Sequence, residues 1–234
     1  MNFIYLDIET FGEKPDMKDF EVRKEDIVIP GNYKKPESMA KYVEEEYARL
    51  VAETPQRFDQ QWRKNALDLL KAKVIAISYA VNDEEERCII GDNEFEVMRE
   101  FNDVLGRFQY GRAMIVDWNG LEFDCPILSL RAAKYDLERL YMYMPKDRRE
   151  ILHVDLMRRM NPTNYKSYCK LDDACKFFGI EGKMSGMDGS KVHDLWLNGE
   201  LETIATYAKM DVKPLREIAR KLRVRETVTT CNAI

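Results

Sequence analysis

The sequence predicts an α/β fold with a mixed central sheet flanked by helices and a helical insertion after the first strand. Apolar and β-branched runs typical of strands come early, and strand-like and helix-like segments then mix toward the C-terminus. Two of these runs, 73–81 and 87–91, are joined by a short charged turn and are therefore predicted to form a hairpin. A long polar stretch separates this hairpin from the opening run at residues 3–8.

The polar stretch, residues 13–71, contains four prolines and is interpreted as an insertion. Helices are predicted at 38–52 and 55–70, the second with a proline in its first turn. Because a chain of 234 residues fits one large domain better than two, we expect a single domain spanning residues 1–234 with the insertion inside it.

The segments after the hairpin predict a helix with one apolar side at 95–108, a strand at 113–118 and a helix that begins near Cys125. A short apolar stretch follows Leu152. Three further helices are predicted at 171–178, from Ser190 onward, and at 201–222. The resulting mixture of strands and helices is typical of an α/β protein.

Composition excludes several classes of protein. The five cysteines are odd in number and form no CxxC pair, which argues against a disulfide framework or a zinc ribbon and favours reduced thiols. The start shows no signal-peptide pattern, and no apolar run is long enough to span a membrane, so we expect a soluble cytoplasmic protein without a membrane partner. The net charge of -5 gives no basic footprint, but carboxylates filled with divalent cations would still allow a nucleic-acid substrate.

The first strand carries two carboxylates, Asp7 and Glu9, within an otherwise apolar run. Side chains alternate along a strand, so both project from the same face. No Lys, Arg or His lies in residues 3–12, and two buried anions without a cation would be costly. The positive partner must therefore come from elsewhere in the fold or from a bound metal.

Two further aspartates stand where other residues are expected. Asp211 interrupts the apolar stripe of the last helix, and Tyr207 lies one turn before it on the same face. Asp124 directly follows Phe123 at the start of a predicted helix. Taken alone, Asp124 is more typical of a helix N-cap, Asp211 of a buried ion pair and Tyr207 of core packing.

These residues form three motifs in order, at positions 7–10, 119–124 and 207–211, with the sequences DIET, NGLEFD and YAKMD. The motifs resemble those of the DEDD superfamily of 3′–5′ exonucleases, on the ribonuclease-H-like fold. The histidine branch of that superfamily would place His at Thr206, so the match is to the tyrosine branch. The resemblance covers residues 3–12 and 73–222. Its middle and C-terminal parts look like the predicted exonucleases related to the proofreading domain of family B DNA polymerases, and the insertion is weakly similar to phage and prophage members.

The resemblance implies that Asp7, Glu9 and Asp211 hold a metal that activates water. Asp7 would bridge to a second metal held by Asp124, and Tyr207 would orient the attacking water. The implied cofactors are two Mg²⁺ or Mn²⁺ ions, which oxygen ligands select. The same comparison implies hydrolysis of phosphodiester bonds from the 3′ end, with release of nucleoside monophosphates.

Further residues are predicted to bind substrate. By resemblance, Thr10 and Phe11 touch the terminal nucleotide, with Phe11 stacking on the base, although core packing is an equally good interpretation of Phe11. Asn119 and Phe123 are expected to shape the same pocket. Lys183 and Lys191 could bind backbone phosphates, although either lysine taken alone is more typical of a solvated surface charge.

Some motif residues receive no role, and the substrate stays open. Asp155 and Asp188 match the family pattern without an assigned function, and His153 and His193 are interpreted as structural. Single-stranded DNA is the predicted substrate, with RNA as the main rival because the motifs say little about the 2′-hydroxyl. A non-catalytic nucleic-acid-binding module is the alternative of a different class, but it would normally have lost one of the carboxylates. A phosphatase with a DxD motif is disfavoured because Glu9 stands at the second position.

Overall fold

The computed structural model of the protein describes residues 1–145, 152–161, 168–182 and 189–226. The strands are β1 (Asn2–Gly12), β2 (Ala72–Val81), β3 (Arg87–Ile90), β4 (Ala113–Asp117) and β5 (His153–Asp155). The helices are α1 (Pro36–Asn65), α2 (Glu94–Gly106), α3 (Asp124–Lys134), α4 (Glu138–Tyr143), α5 (Leu156–Met160), α6 (Leu171–Phe178), α7 (Val192–Leu197) and α8 (Leu201–Lys221). Throughout the described ranges, no helix has both the length and the apolar composition that a bilayer span requires.

The strands form one sheet in the order β3-β2-β1-β4-β5, with β1 at the centre. The β1–β2 and β2–β3 pairs are antiparallel, whereas β1–β4 and β4–β5 are parallel. The predicted α/β fold with a mixed sheet and a hairpin is therefore confirmed. The parallel pairs bring the carboxyl ends of β1, β4 and β5 to one edge of the sheet.

The two faces of β1 belong to different apolar cores. Ile4, Leu6 and Ile8 pack with residues of α2, α3 and α4 on one face. Phe3 and Tyr5 pack with residues of α6 and α8 on the other. Because side chains alternate, the next two residues on this second face are Asp7 and Glu9, which the strand turns toward the side of the sheet covered by α8. Each buried apolar side chain contributes roughly 1.5–3 kcal/mol, so register slips along β1 are strongly disfavoured.

The insertion contains one long helix where the sequence predicted two. α1 runs without a break through Pro55, so the predicted boundary between 52 and 55 is wrong. Pro55 lacks the N–H that would bond to the carbonyl of Val51. Val51 is exposed, so water can solvate that carbonyl, and the Thr54 hydroxyl donates to Leu50 O at 2.9 Å in the same turn. The helix tolerates the proline because the affected turn lies at the surface.

The C-terminal end of α1 is fastened to the end of β1. Trp62 Nε1 donates to Gly12 O at 2.8 Å, and the Asn65 amide donates to Glu13 O at 2.7 Å. The Thr10 hydroxyl donates to Ala66 O at 2.7 Å. At Gly12 an added Cβ would lie 2.2 Å from Trp62 O, so only glycine allows this approach. The insertion therefore begins and ends beside the two carboxylates of β1.

Candidate active site

Three carboxylates from two elements converge on the second face of β1. Oxygen atoms of Asp7, Glu9 and Asp211 all lie within 4.8 Å of one another. Alternation along β1 puts Asp7 and Glu9 on the same face of the sheet. The apolar stripe of α8 packs on β1 and β2 and puts Asp211 opposite them. Glu9 and Asp211 are buried, whereas Asp7 is half-buried. Three hard oxygen donors at this spacing can surround a divalent cation.

Asp124 lies beside this cluster at the first residue of α3. Its Oδ1 accepts the backbone N–H of Ile8 at 3.2 Å, which fixes the carboxylate next to the strand residue between Asp7 and Glu9. The helix N-cap position itself is occupied by Phe123. Burial raises the pKa of Asp124 to about 8, and the nearby Asp117 carboxylate adds to this effect, while the N–H of Ile8 opposes it. Ionised Asp124 would therefore be stabilised by a nearby cation.

Tyr207 is almost fully buried one turn before Asp211 on α8. Its ring packs in a small apolar cluster with Ile75, Val192 and Ile204. The ring is therefore held by the sheet and by α7, on the helix face that also carries Asp211.

A cavity of about 450 Å³ opens beside Glu9. Its walls come from β1, the loop before α3, the start of α7 and the C-terminal end of α1. The lining residues are Ile8, Glu9, Thr10, Arg63, Lys64, Ala66, Leu67, Phe123, Gly189, Ser190 and His193. The cavity thus contains Thr10 and Phe123 among the predicted substrate-binding residues, and it adds a wall from the insertion that the motifs did not indicate.

Phe11 does not line this cavity. Its ring stacks on His193 with centroids 4.9 Å apart, and it meets Trp62 edge-on at 5.6 Å and Trp196 at 5.9 Å. These contacts favour the packing interpretation of Phe11 over base stacking. The packing of Phe11 could have been suspected from the aromatic residues of the insertion and of α7. The sequence alone does not show that these segments pack against β1.

Two other predicted substrate residues, Asn119 and Lys191, lie outside the α-helices and strands. Asn119 adopts a left-handed backbone conformation with φ of 62° and precedes the cavity-lining Phe123 by four positions. Lys191 is exposed at the end of a short 3₁₀ turn, Gly189–Lys191, that leads into α7. Lys183, like Asp188, lies outside the described residues.

A second buried group of possible ligands was not predicted. Asp117, Cys125 and His153 have donor atoms within 4.8 Å of one another. His153 Nε2 lies 2.6 Å from Asp117 Oδ2, and the Cys125 thiol lies 3.4 Å from the same oxygen and 3.5 Å from His153 Nε2. Burial alone would lower the pKa of His153, but the carboxylates of Asp117, Asp155 and Asp124 together outweigh this effect, and the pKa is raised. The pKa of the Cys125 thiol is also raised, by burial and then by Asp117, so this thiol is not a reactive thiolate.

The central mixed sheet, with a carboxylate cluster between its middle strand and a late helix, is the arrangement that the resemblance of the three motifs implies. Residues 65–214 match the model of a family described as predicted 3′–5′ exonucleases related to the exonuclease domain of PolB. The match covers more than half of the chain, and the protein belongs to this family.

Individual relatives agree with this assignment. The chain is 26% identical over 164 residues to a DNA polymerase of Archaeoglobus fulgidus, covering 65% of the chain and 20% of the polymerase. It is 25% identical over 138 residues to an uncharacterized protein of Methanocaldococcus jannaschii, covering 58% of the chain and 73% of that protein. The solved family B DNA polymerase of Pyrobaculum calidifontis shares the fold, with a TM-score of 0.57 and 18% identity over 95% of the chain and 24% of the polymerase.

Proposed function

We propose that the protein is a metal-dependent 3′–5′ exonuclease that removes nucleoside monophosphates from the 3′ end of single-stranded DNA. The observation that carries the proposal is the convergence of Asp7, Glu9 and Asp211 within 4.8 Å, with Asp124 held beside them by the amide of Ile8. Membership of a family of predicted 3′–5′ exonucleases supports the reaction and its polarity.

The donor set fits hard divalent cations. All four side chains are carboxylates, which Mg²⁺ and Mn²⁺ prefer over thiolate or imidazole. Burial and Asp117 raise the pKa of Asp124 to about 8, so this carboxyl would release its proton when a cation binds. Asp7, Glu9 and Asp211 would hold one metal and Asp7 and Asp124 a second. Bound metals supply a nucleophilic hydroxide at neutral pH and stabilise the departing 3′-oxygen.

The side chains of this protein then have separate tasks. Tyr207 would hold the attacking water through its hydroxyl, since its ring is fixed by packing on the helix face of Asp211. The cavity beside Glu9, at about 450 Å³, is within the usual range of ligand pockets and would receive the terminal nucleotide. Phe123 lines the cavity and would stack on the terminal base. Phe11 is less suited to this role because its ring already stacks on His193.

Three observations support a single strand of DNA as the substrate. A terminal base can enter the cavity and meet Phe123 only after it has left its partner strand. Lys64, at the edge of the cavity on α1, is exposed, and its side-chain ammonium makes no hydrogen bond or ion pair with any described residue, so it can contact a phosphate. Its neighbour Arg63 is instead paired with Asp59 and Asp194. The polymerases that resemble the chain are named for DNA.

The direct test is digestion of a single-stranded oligodeoxynucleotide labelled at its 5′ end, with Mg²⁺, with Mn²⁺ and with EDTA. The proposal predicts a descending ladder of shortened products that requires metal. Immediate release of labelled mononucleotide would show the opposite polarity, and digestion in EDTA would contradict metal dependence. An RNA oligonucleotide of the same sequence and a blunt duplex serve as comparison substrates, and both should be degraded more slowly.

A further inference from the structure

The loop between β4 and α3, residues 118–123, delivers Asp124 and Phe123 to the site in a conformation that few sequences allow. Asn119 has φ of 62°, in the left-handed region. At Gly120 an added Cβ would lie 2.0 Å from the Asp117 carboxylate, so a side chain cannot be accommodated without moving the loop. Such a loop needs specific partners for its backbone.

Two buried aspartates provide these partners. Asp155 Oδ1 accepts the N–H of Asn119 at 3.1 Å, and Asp117 Oδ1 accepts the N–H of Gly120 at 3.2 Å. Asp117 and Asp155 face each other across the parallel β4–β5 pair, which aligns their carboxylates under two successive amides. The carbonyl of Gly120 in turn accepts the N–H of Cys125 at 2.8 Å, which joins the loop to the first turn of α3.

The two carboxylates are themselves held by cationic or donor groups. His153 Nε2 lies 2.6 Å from Asp117 Oδ2. Arg158 contacts Asp155 twice, through its backbone N–H at 3.2 Å and its guanidinium Nε at 3.4 Å, and it also pairs with Glu122 of the loop. The network thus holds the loop at two kinds of contact. Asp155 and Asp117 bind its backbone amides, and Arg158 binds the side chain of Glu122.

The short contact between Asp117 and His153 identifies this network as hydrogen-bonded rather than metal-bound. A tetrahedral zinc with ligands at about 2.0–2.1 Å would separate the nitrogen and oxygen by about 3.3 Å. The observed 2.6 Å leaves no room for an ion between them. Cys125 is therefore a neighbour of the pair and not the third member of a metal centre.

We propose that Asp155, together with the Asp117–His153 pair, forms the positioning residues that hold Asp124 and Phe123 in place for the reaction. This inference rests on the proposed function and gives Asp155 a role that the motifs alone did not assign. Removal of partners of this kind typically costs 10–100-fold in metal affinity or activity. Asp155→Ala should therefore raise the half-saturating Mn²⁺ concentration about tenfold and lower kcat at saturating Mn²⁺. Asp155→Asn keeps an oxygen for the Asn119 amide, so it should change the half-saturating Mn²⁺ concentration and kcat less than Asp155→Ala does.

The experiment compares wild type, Asp155→Ala and Asp155→Asn in two assays: Mn²⁺ binding followed by electron paramagnetic resonance without substrate, and digestion of labelled single-stranded DNA over a range of Mn²⁺. Asp155 also accepts a bond from the N–H of Arg158 at the start of α5. The matched control is therefore Asn93→Ala, which removes a comparable bond to Phe95 N at the start of α2, away from the site. The control should lower the melting temperature without changing Mn²⁺ dependence.

The outcomes separate the inference from the proposed function. Weaker Mn²⁺ binding in Asp155→Ala, partly rescued in Asp155→Asn, supports the positioning role even if no digestion is seen. A wild type that binds Mn²⁺ and digests no nucleic acid contradicts the proposed function alone. Unchanged Mn²⁺ dependence and rate in folded Asp155→Ala overturn the positioning role. One equivalent of tightly bound zinc that Cys125→Ser releases would overturn the hydrogen-bonded network.

Discussion

Two clusters of potential metal ligands lie on opposite faces of the same sheet, and they differ in composition. The first, Asp7, Glu9 and Asp211, consists only of carboxylates, none of which can donate a hydrogen bond when ionised. The second contains Asp117 and His153, where the imidazole lies 2.6 Å from the carboxylate and neutralises it. The comparison shows that a group of possible ligand atoms within 4.8 Å of one another is not by itself a metal site. Three carboxylates close together attract a cation, whereas an acid and a base in contact bind each other.

The largest expected effect is the loss of activity when the first cluster is disrupted. Asp7→Ala, Glu9→Ala, Asp124→Ala and Asp211→Ala should each reduce digestion of single-stranded DNA by about 10³-fold or more, because each removes a metal ligand worth several kcal/mol in the transition state. Circular dichroism checks that the variants fold. Asp103→Ala on the exposed surface of α2 is the matched control and should retain full activity. Near wild-type rates in any folded variant of the first four would refute the metal-site assignment.

Substitution in the second cluster should lower the stability of the fold. His153→Ala removes the partner of buried Asp117 and should lower the free energy of unfolding by about 3–5 kcal/mol, measured by urea denaturation in EDTA. Asp7→Asn under the same metal-free conditions should leave stability unchanged or raise it, because it removes one of three crowded like charges. The comparison between the clusters fails if the two variants change stability in the same direction.

Tyr207→Phe should lower turnover by about 10²-fold while leaving Mn²⁺ binding unchanged. The substitution keeps the buried ring that packs on Ile75 and Val192 and removes only the hydroxyl. Steady-state kinetics give the turnover, and calorimetry gives the Mn²⁺ affinity. Loss of Mn²⁺ binding would make Tyr207 part of the metal site and contradict its role in orienting water.

The smallest expected effect concerns His193, which contrasts with His153. His193 stacks on Phe11, and its ring nitrogens have no hydrogen-bond partner among the described residues. Burial lowers the pKa of His193, and Arg63 lowers it further against the opposing effects of Asp59 and Asp194. A lowered folded-state pKa stabilises the protein above the unfolded value of about 6.5, and this stabilisation is lost as the pH falls through the folded value.

Unfolding by urea at about pH 7.5 and pH 5 measures this dependence. The wild type should lose more stability between the two values than His193→Phe, which keeps an aromatic ring against Phe11 and cannot titrate. An equal loss in both proteins would show that the pH dependence arises from groups other than His193.

The first cluster could be predicted from local periodicity together with the resemblance of the three motifs to the DEDD exonucleases. Alternation along β1 puts Asp7 and Glu9 on one face, and helical spacing along α8 puts Asp211 in the stripe that faces the sheet. The mixed sheet and the hairpin likewise follow from runs of apolar residues and short turns. These local inferences need no knowledge of contacts between distant segments, whereas the meeting of Asp211 with Asp7 and Glu9 was implied by the resemblance of the motifs.

The second cluster could not be predicted because its contacts depend on strand pairing. Asp117 and His153 are 36 positions apart and meet only because β4 and β5 pair in parallel in one particular register. The position of Phe11 against Trp62 and His193 depends in the same way on where the insertion and α7 pack. The continuity of α1 through Pro55 was missed for another reason, since the cost of proline in a helix depends on whether the affected carbonyl can reach water.

The most direct test of the account is a Mn²⁺ titration of wild type, Asp211→Asn and Cys125→Ser, followed by electron paramagnetic resonance. If the all-carboxylate cluster is the metal site, Asp211→Asn should weaken Mn²⁺ binding strongly, whereas Cys125→Ser should bind Mn²⁺ like the wild type. The account is contradicted if Cys125→Ser loses Mn²⁺ binding and Asp211→Asn retains it.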